Sequence, residues 1–595
     1  MIIRTTAFII RGLNRTTLVS AGLRLAAGLH TDIQRTNKYP GALGSSNGYP
    51  GPPITDDYPN RMVSFSGEPP KIATSSITLT EDEERLRSLL VRTADYLTKR
   101  NPESEPVIIR FAGGWVRDKL LGHGSNDIDV AVNSLSGFDF ASNVQRNLNS
   151  RPNSPNSRPP SPTGRPIKSI HKIKANPALS KHLETATTTI YGLELDFVNL
   201  RSEEYTNNSR IPTVKFGTPE EDALRRDCTI NTLFYNLHTK QVEDYTHRGL
   251  DDLRSKVIRT PLAPFETFCD DPLRVLRCIR FASRLGFEIH MDAKQAMMEP
   301  LIKEALKVKI SRERIGVEVD KMLKGPDPYG ALELIHSVGL YDSVFSSPVV
   351  ERHHPSETVL RAAQTLSVLT NHLPSVLVPS NTQEKRKAYL LCSLYPYESR
   401  FIAEKSKSKP VQAASIVIRD ALKFPNSDAD DVGHVFACLE KVGVEIEALE
   451  NAGRDRVRTG LFVKELGPQW PTILRTWLIH QIISTTPVVS PSMHRLQSII
   501  TKTPALGEAV RALVSSTRSL VAAIEEDNLS SVHSLKPIVN GKEIANALGI
   551  KPGPGMRVLT DNVFKWQLAN PEGKGEECLE WLKENQEEHS VPVRR

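Results

Sequence analysis

A chain of 595 residues exceeds the usual length of one domain and predicts two to four. With 39% hydrophobic and 24% charged residues its composition is that of an ordinary globular protein, and no run approaches the roughly eighteen continuous apolar residues of a membrane span. A net charge of +7 permits a polyanionic partner without demanding one. The six cysteines (Cys228, Cys269, Cys278, Cys392, Cys438, Cys578) form no CxxC pair. Such spacing gives neither a zinc site nor a disulfide framework, and they read as buried or incidental thiols in a reducing compartment.

In chain order, MIIRTTAFIIRGLNRTTLVSAGLRLAAGLH carries Arg4, Arg11, Arg15 and Arg24 and no acid before Asp32. Basic, acid-free and mildly amphipathic, residues 1–40 predict a mitochondrial presequence; the competing reading is a disordered tail. Residues 41–74 form a linker rich in Gly, Pro, Ser and Asn. Met62 offers a second start, which would give a cytosolic or nuclear form.

From Leu79 the pattern becomes globular: a helix over 81–99, an apolar strand VIIRFA, then GGWVRDKLLGHGSNDIDVAV at 113–132. The Ser/Pro-rich run at 149–168 predicts an exposed loop insertion. ELDFVNLR predicts a strand, EEDALRRDCTINTLFYN has helical spacing, and HTKQVEDYT predicts a hairpin return. After Leu250 helical patterns dominate, with a turn cluster at KPGPGM (551–556) and a helix through VFKWQL. A mixed α/β head at 75–247 followed by a long helical remainder is expected.

Glycines at the strand-to-helix junction, Gly113 and Gly114, let backbone N–H groups approach an anion, and Arg117 one turn later adds a charge-assisted contact. In NDIDVAV, Asp127, Asp129 and Ala131 project from one strand face while Ile128, Val130 and Val132 pack on the other. Two carboxylates on one face repel each other unless a cation sits between them, and hard oxygen ligands suit Mg²⁺. A half-exposed acidic edge strand explains the DxD but not the adjacent glycine turn. Together they suggest nucleotidyl transfer by two metal ions. A third carboxylate is assigned to Asp196 in ELDFVNLR, with Glu194 as its competitor on the same face.

In TFCDDPLRVLRCIRFASRLGF, Thr267 or Asp270 is expected to cap a helix with Pro272 in its first turn. Arg274, Arg277, Arg280 and Arg284 form one basic stripe without acidic partners after Asp271. Asp271 and Arg274 stand at i and i+3. A carboxylate beside a guanidinium can read a base edge: Asp accepts from an amino group and Arg donates to a ring nitrogen or carbonyl. Cytosine and adenine present an amino donor beside an acceptor, whereas uracil and guanine reverse the order. Such a pair accepts CTP and ATP and rejects UTP and GTP with no template strand.

These ordered motifs, spanning about residues 105–320, resemble the class II tRNA nucleotidyltransferases, the CCA-adding enzymes. The resemblance implies an α+β fold: a polymerase-β-like nucleotidyltransferase head of mixed sheet and helices, then an all-helical neck (248–325), body and tail (326–595). It makes Asp127 and Asp129 the ligands of a two-metal Mg²⁺ site, beside which Asp196 is expected as the third catalytic carboxylate from the strand reading above. Gly113, Gly114, Arg117 and Asp118 become nucleotide contacts. RRDCTINTLF resembles the second motif and brings Arg226, Asp227 and Asn231 to the nucleotide, with Asp227 on the ribose hydroxyl and Asn231 one helical turn on. DYTHRGLDDLRSKVIRTP resembles the hinge motif. DDPLRVLRCIRF resembles the amino-acid template, with Asp271 and Arg274 on the base, Arg277 and Arg280 towards the triphosphate, and Asp270 where many members have Glu. ISRERIGVEVDKML resembles the last shared motif, a helix brace. KPIVNGKEIANALGIKPGPGM resembles the tail of eukaryotic members.

The implied activity is template-independent addition of CCA to the 3′ end of tRNA from CTP and ATP, with tRNA bound at its acceptor end and elbow and no membrane partner. The basic segment 1–40 predicts a mitochondrial place, beside a cytosolic or nuclear form from Met62. A poly(A) polymerase or A-only enzyme shares the head motifs, and an inactive tRNA-binding adaptor is the reading from another class. No phosphohydrolase HD motif appears, so HHPSE (353–357) reads as loop.

Overall fold

The computed structural model describes residues 76–149, 171–173, 185–206, 209–352, 354–403, 410–485, 504–551, 553 and 555–585. The presequence and linker expectations, Met62 and residues 150–168 of the insertion lie outside the described residues.

Helix α1 (Glu81–Arg100) starts at a reciprocal capping box. The Thr80 hydroxyl accepts from the Glu83 N–H at 3.3 Å, and the Glu83 carboxylate accepts from the Thr80 N–H at 2.7 Å. The head continues through β1 (Ile109–Ala112), α2 (Gly114–Leu120), β2 (Asp127–Val132), α3 (Gly137–Asn149), β3 (His171–Ile173), β4 (Thr185–Ile190) and β5 (Leu193–Asn199). The hairpin β6 (Arg201–Thr206) and β7 (Ser209–Phe216) follows, then α4 (Pro219–Leu224), β8 (Phe234–Asn236) and β9 (Gln241–Glu243). Seven strands form one mixed sheet in the order β3-β4-β5-β2-β1-β8-β9, antiparallel except where β2 runs parallel to β5.

Strand alternation gives the sheet two unlike faces. Ile109, Phe111, Ile128, Val130, Val132, Leu195 and Phe197 enter the main core, where Leu86 and Leu90 of α1 and Phe140 and Val144 of α3 cover them. The other face carries the small Ala112 and Ala131, packed with Ala223 and Phe234, and leaves room for a site above the acidic end of β2.

The segment EEDALRRDCTINTLFYN corrects the sequence expectation. The helix stops at Leu224, a 3₁₀ turn spans Thr229–Asn231, and Phe234–Asn236 is strand. Arg225 and Arg226 fold back onto Asp222 at 2.5 and 2.8 Å, and the Asp227 carboxylate caps the Cys228 N–H at 2.8 Å, so the backbone bends instead of continuing.

Beyond the head lie α5 (Gly249–Ser255), α6 (Pro264–Asp270), α7 (Leu273–Leu285), α8 (Met291–Met298), α9 (Pro300–Lys309) and α10 (Arg312–Leu323), with further helices as far as Glu584. Thr267 and Asp270 lie inside α6 and do not cap α7, because Pro272 holds that position and Asp271 Oδ1 accepts the Leu273 N–H at 3.2 Å. The remainder is not wholly helical. Two pairs of two-residue strands interrupt it, too short to show alternation in sequence: Val257–Ile258 with Glu288–Ile289, and Phe401–Ile402 with Val411–Gln412. Residues 354–357 of HHPSE are loop as expected, and VFKWQL lies within a helix, Met556–Ala569. That helix and its two neighbours enclose a separate small core of Val539, Ile544, Leu559, Val563, Cys578 and Leu582. All six cysteines are free, but the Cys228 and Cys278 sulfurs lie 3.5 Å apart, a proximity their 50-residue separation conceals. Among the described residues no helix is long and apolar enough to cross a membrane.

Candidate active site

The turn between β1 and α2 depends on glycine. Gly113 sits at φ +69°, and a Cβ there would lie 2.7 Å from the Arg226 guanidinium. Its N–H donates to the Leu233 carbonyl at 2.9 Å, tying the turn to the segment that precedes β8. One turn into α2, Arg117 is only 3% exposed. Its guanidinium donates to Asp118 at 2.8 Å and to Asn231 Oδ1, and it lies 5.2 Å from the centre of the Phe281 ring. Asp118 is thus placed as the buried holder of Arg117, with Arg284 at 3.5 Å on its other oxygen.

The acidic face lies alongside. Asp129 pairs across the parallel strands with Asp196, and Asp127 with Glu194, so four carboxylates share one end of one face. Burial pushes the Asp127 carboxyl up, and the charges of Asp196 and Glu194 push it further. Asp129 is raised by deeper burial and by Asp196 and Asp127, against the pull of Arg226. Neither carboxylate accepts a hydrogen bond from a described residue, whereas that of Asp196 accepts from the Thr187 hydroxyl at 2.7 Å. Among the described residues no three His, Cys, Asp or Glu side chains form a group able to hold a metal ion.

The facing wall is built from the RRD bend and α7. Asp227 Oδ1 accepts from the Asn231 amide at 3.0 Å, and Oδ2 accepts from Arg277 at 2.6 Å. Burial alone would raise this carboxyl, but Arg277 and Asn231 outweigh it and hold Asp227 well below the usual carboxylate range. Asp227 and Asn231 therefore meet as expected, through a bend and a 3₁₀ turn and not on a helix face. Arg226 pairs with Asp222, donates to the Asn231 carbonyl at 3.1 Å and lies over the Phe234 ring at 5.4 Å.

The basic stripe of α7 is not free of acids. Arg280 pairs with Glu318 at 2.5 Å, Arg277 with Asp227, Arg284 with Asp118, and Arg274 lies 3.9 Å from Glu203. The nearest of these partners in sequence is 38 residues away, so no local pattern shows them. Arg274 also donates to the carbonyls of Arg225 at 2.6 Å and Thr267 at 3.3 Å. Asp271 Oδ2 accepts from Arg314 at 3.2 Å, and its carbonyl accepts the Arg274 N–H at 3.0 Å.

The walls enclose a cavity of about 550 Å³, large enough for a nucleotide. Gly114, Arg117 and Asp129 line one side, and Arg226, Asp227 and Asn231 the next. Asp271, Arg274, Arg277 and Arg280 close it, while Gly113, Asp118, Asp127 and Asp196 stand outside its lining. Sequence reasoning missed Arg201, Glu203, Asp222, Arg225, Phe281 and Arg314 in the same wall. Two had a signal: Asp222 stands four residues before Arg226, and Arg314 lies in the last motif four residues before Glu318.

Residues 109–259 match the Poly A polymerase head domain family, and residues 286–352 match a family described as the probable RNA and SrmB-binding site of polymerase A. The chain is 35% identical over 509 residues to tRNA nucleotidyltransferase cca2 of Schizosaccharomyces pombe, an alignment covering 85% of this chain and 99% of that protein. It is 37% identical over 535 residues to the mitochondrial CCA tRNA nucleotidyltransferase of Saccharomyces cerevisiae, covering 85% and 93%. The fold is similar to that of the Thermotoga maritima CCA-adding enzyme complexed with tRNA, at a TM-score of 0.53 and 18% identity over 85% of this chain and 96% of that one. A CCA-adding enzyme in an apo form gives a TM-score of 0.56 at 19% identity, covering 85% and 96%. Similarity over nearly the whole length of these relatives, with most of the motif residues lining one cavity, places the chain in the tRNA nucleotidyltransferase family.

Proposed function

We propose that this protein adds C, C and A to the 3′ end of tRNA without a template strand. The terminal ribose hydroxyl attacks the α-phosphate of CTP or ATP, and pyrophosphate leaves. The observation that carries the reading is a single cavity in which Asp129, Arg117 and the Asp271–Arg274 pair face the same space. Asp271 accepts from the exocyclic amino group of the base, and Arg274 donates to the neighbouring acceptor. Asp227, held ionised by Arg277, accepts from the ribose hydroxyl. Arg117, Arg226, Arg277 and Arg280 face the triphosphate, with Gly114 leaving room beside it.

The donor set at the acidic end fits a hard divalent cation: two repelling carboxylates, neither engaged by a described donor. Asp127 and Asp129 would hold Mg²⁺, and two carboxylates leave the rest of its shell to water and phosphate oxygens. Bound there, the ion would supply Lewis-acid activation of the attacking hydroxyl and would offset charge on the leaving pyrophosphate. Asp196, registered opposite Asp129, adds negative charge beside them. The chain's own contribution is positioning: an arginine-lined wall that fixes base, ribose and phosphates before reaction.

The head (75–247) carries the chemistry, the neck (248–325) the base selection, and the body and tail (326–595) grip the tRNA from acceptor end to elbow. The relatives from Saccharomyces cerevisiae and Candida glabrata are named as mitochondrial, which together with the basic segment 1–40 supports a mitochondrial place for this chain. Initiation at Met62 would add a cytosolic or nuclear form.

The test is a tRNA transcript lacking CCA, incubated with CTP alone, ATP alone and both. Growth by two nucleotides with CTP and by three with both is expected. Long A tails would indicate a poly(A) polymerase, and growth only on tRNA already ending in CC would indicate an A-adding enzyme.

A further inference from the structure

Helix α10 carries the last of the sequence motifs, and the polar residues that it packs against other elements fall on two sides, while Glu313 and Lys321 are exposed. An α-helix turns about 100° per residue, so residues two apart face opposite ways and residues four apart face the same way. Arg314 and Glu318 point to the cavity wall. Arg314 donates to Asp271 at 3.2 Å, and Glu318, buried, accepts from Arg280 at 2.5 Å and lies 4.0 Å from Arg277.

Arg312, Gly316 and Asp320 point the other way, into the helical body. Arg312 donates to the carbonyls of Ala421 and Ser343, each at 2.8 Å, and to that of Val344. A Cβ at Gly316 would lie 1.9 Å from the Leu422 carbonyl oxygen, so only glycine permits this approach. Asp320 accepts from Arg386 at 2.5 Å, and Arg386 grips Asp428 with both remaining guanidinium nitrogens at 2.8 and 3.0 Å.

The segment that meets this side, Ile418–Leu422, is one turn of π-helix. Its wider winding displaces carbonyls from their usual partners, an arrangement found mostly where function retains it. Arg312 and Gly316 engage the carbonyls of Ala421 and Leu422, which belong to that turn.

We propose that α10 is a two-sided strut through which the body sets the position of the base-selecting residues, and that Arg312 is a positioning residue for nucleotide selection. The proposal rests on the reading that Asp271 and Arg274 select the base. Both ends of the strut are polar and directional, so a shift of α10 on the body side moves Arg314 and Glu318 relative to Asp271, Arg277 and Arg280. Selection between CTP and UTP depends on a donor–acceptor register that a displacement of about 1 Å is enough to spoil.

The test uses the full chain with R312K, which keeps the cation but loses the fork, and G316A, which pushes α10 from the Leu422 carbonyl. R314K, on the cavity side, is the comparator. Steady-state incorporation of CTP, ATP and UTP into tRNA lacking CCA is measured beside tRNA affinity and the thermal midpoint. The expected result is a rise of about tenfold in the UTP-to-CTP ratio of kcat/KM in R312K and G316A, as in R314K, carried by KM for CTP, with tRNA affinity within about twofold of wild type. If neither R312K nor G316A folds, D320N loosens the same side through Arg386 and carries the same expectation. An unchanged ratio, whether activity falls equally for all nucleotides or stays as in wild type, overturns the strut. Failure of the wild-type chain to add C, C and A would instead overturn the reading of the site, whatever the variants do.

Discussion

Two pairs of aspartates in or beside the walls of the same cavity are treated in opposite ways. Asp127 and Asp129 share a strand face with two further carboxylates, and burial with mutual repulsion raises both. Asp222 and Asp227 are more deeply buried, which alone would raise them, yet arginines outweigh burial and lower both. A carboxylate left crowded by its own kind is waiting for a cation from outside the chain. One clasped by guanidinium groups has its cation already and serves to orient it.

The largest effect that separates the two pairs is expected at the crowded one. Asp129→Asn, or Asp127→Ala, should lower nucleotide incorporation by about 10³-fold or more while tRNA binding and folding persist, because removing a repelling charge costs the fold nothing. Undiminished incorporation in single-turnover assays would refute the metal assignment. Asp227→Asn should lower kcat/KM by about 10²-fold and, unlike the first variants, destabilise the protein. Losing this carboxylate costs about 2 kcal/mol in urea unfolding, less than a fully buried pair, because Arg277 is 38% exposed and keeps Glu318 at 4.0 Å. A D227N protein as stable as wild type would erase the distinction between the pairs.

The pH signatures are opposite in sign. Asp222 and Asp227 titrate below their ordinary value, so the stability they supply is complete above it and is lost as pH falls through their folded pKa. Asp127 and Asp129 titrate above it, so their repulsion costs stability at neutral pH and is relieved as pH falls through the raised values. Metal-free Asp127→Asn should therefore melt about 1 °C above wild type near pH 7, and the gap should close towards about pH 4. A gap that widens on acidification would reverse the assignment. The smallest effect is expected at Arg284, half-exposed and 3.5 Å from Asp118. Arg284→Ala should change kcat/KM by no more than about threefold, and the change should shrink as salt screens the pair.

The acidic pair was legible in sequence because strand alternation is local: Asp127 and Asp129 on one side, Ile128 and Val130 on the other, with the glycine turn just upstream. The clasped pair was half legible. Asp227 and Asn231 stood four apart and read as one helical face, but Asp222 pulled Arg225 and Arg226 back and the Asp227 side chain capped its own neighbour, ending the helix at Leu224. The stripe on α7 read as unpaired because its acids, Asp118, Glu203, Asp227 and Glu318, arrive from distant parts of the chain. Periodicity reports which face a residue takes, not what another element brings to it.

Asn231 joins the two regions and gives its side chain a polarity. Its carbonyl oxygen accepts from Arg117 of the glycine-turn helix, and its amide nitrogen donates to Asp227 of the facing wall. Turned over, the same amide would set a donor against a guanidinium and an acceptor against a carboxylate, so both neighbours enforce one orientation. Aspartate there would satisfy Arg117 and repel Asp227; leucine would abandon both. Position 231 is therefore a one-way coupling, where an uncharged group of fixed sense lets a cation and an anion share a wall without neutralising each other.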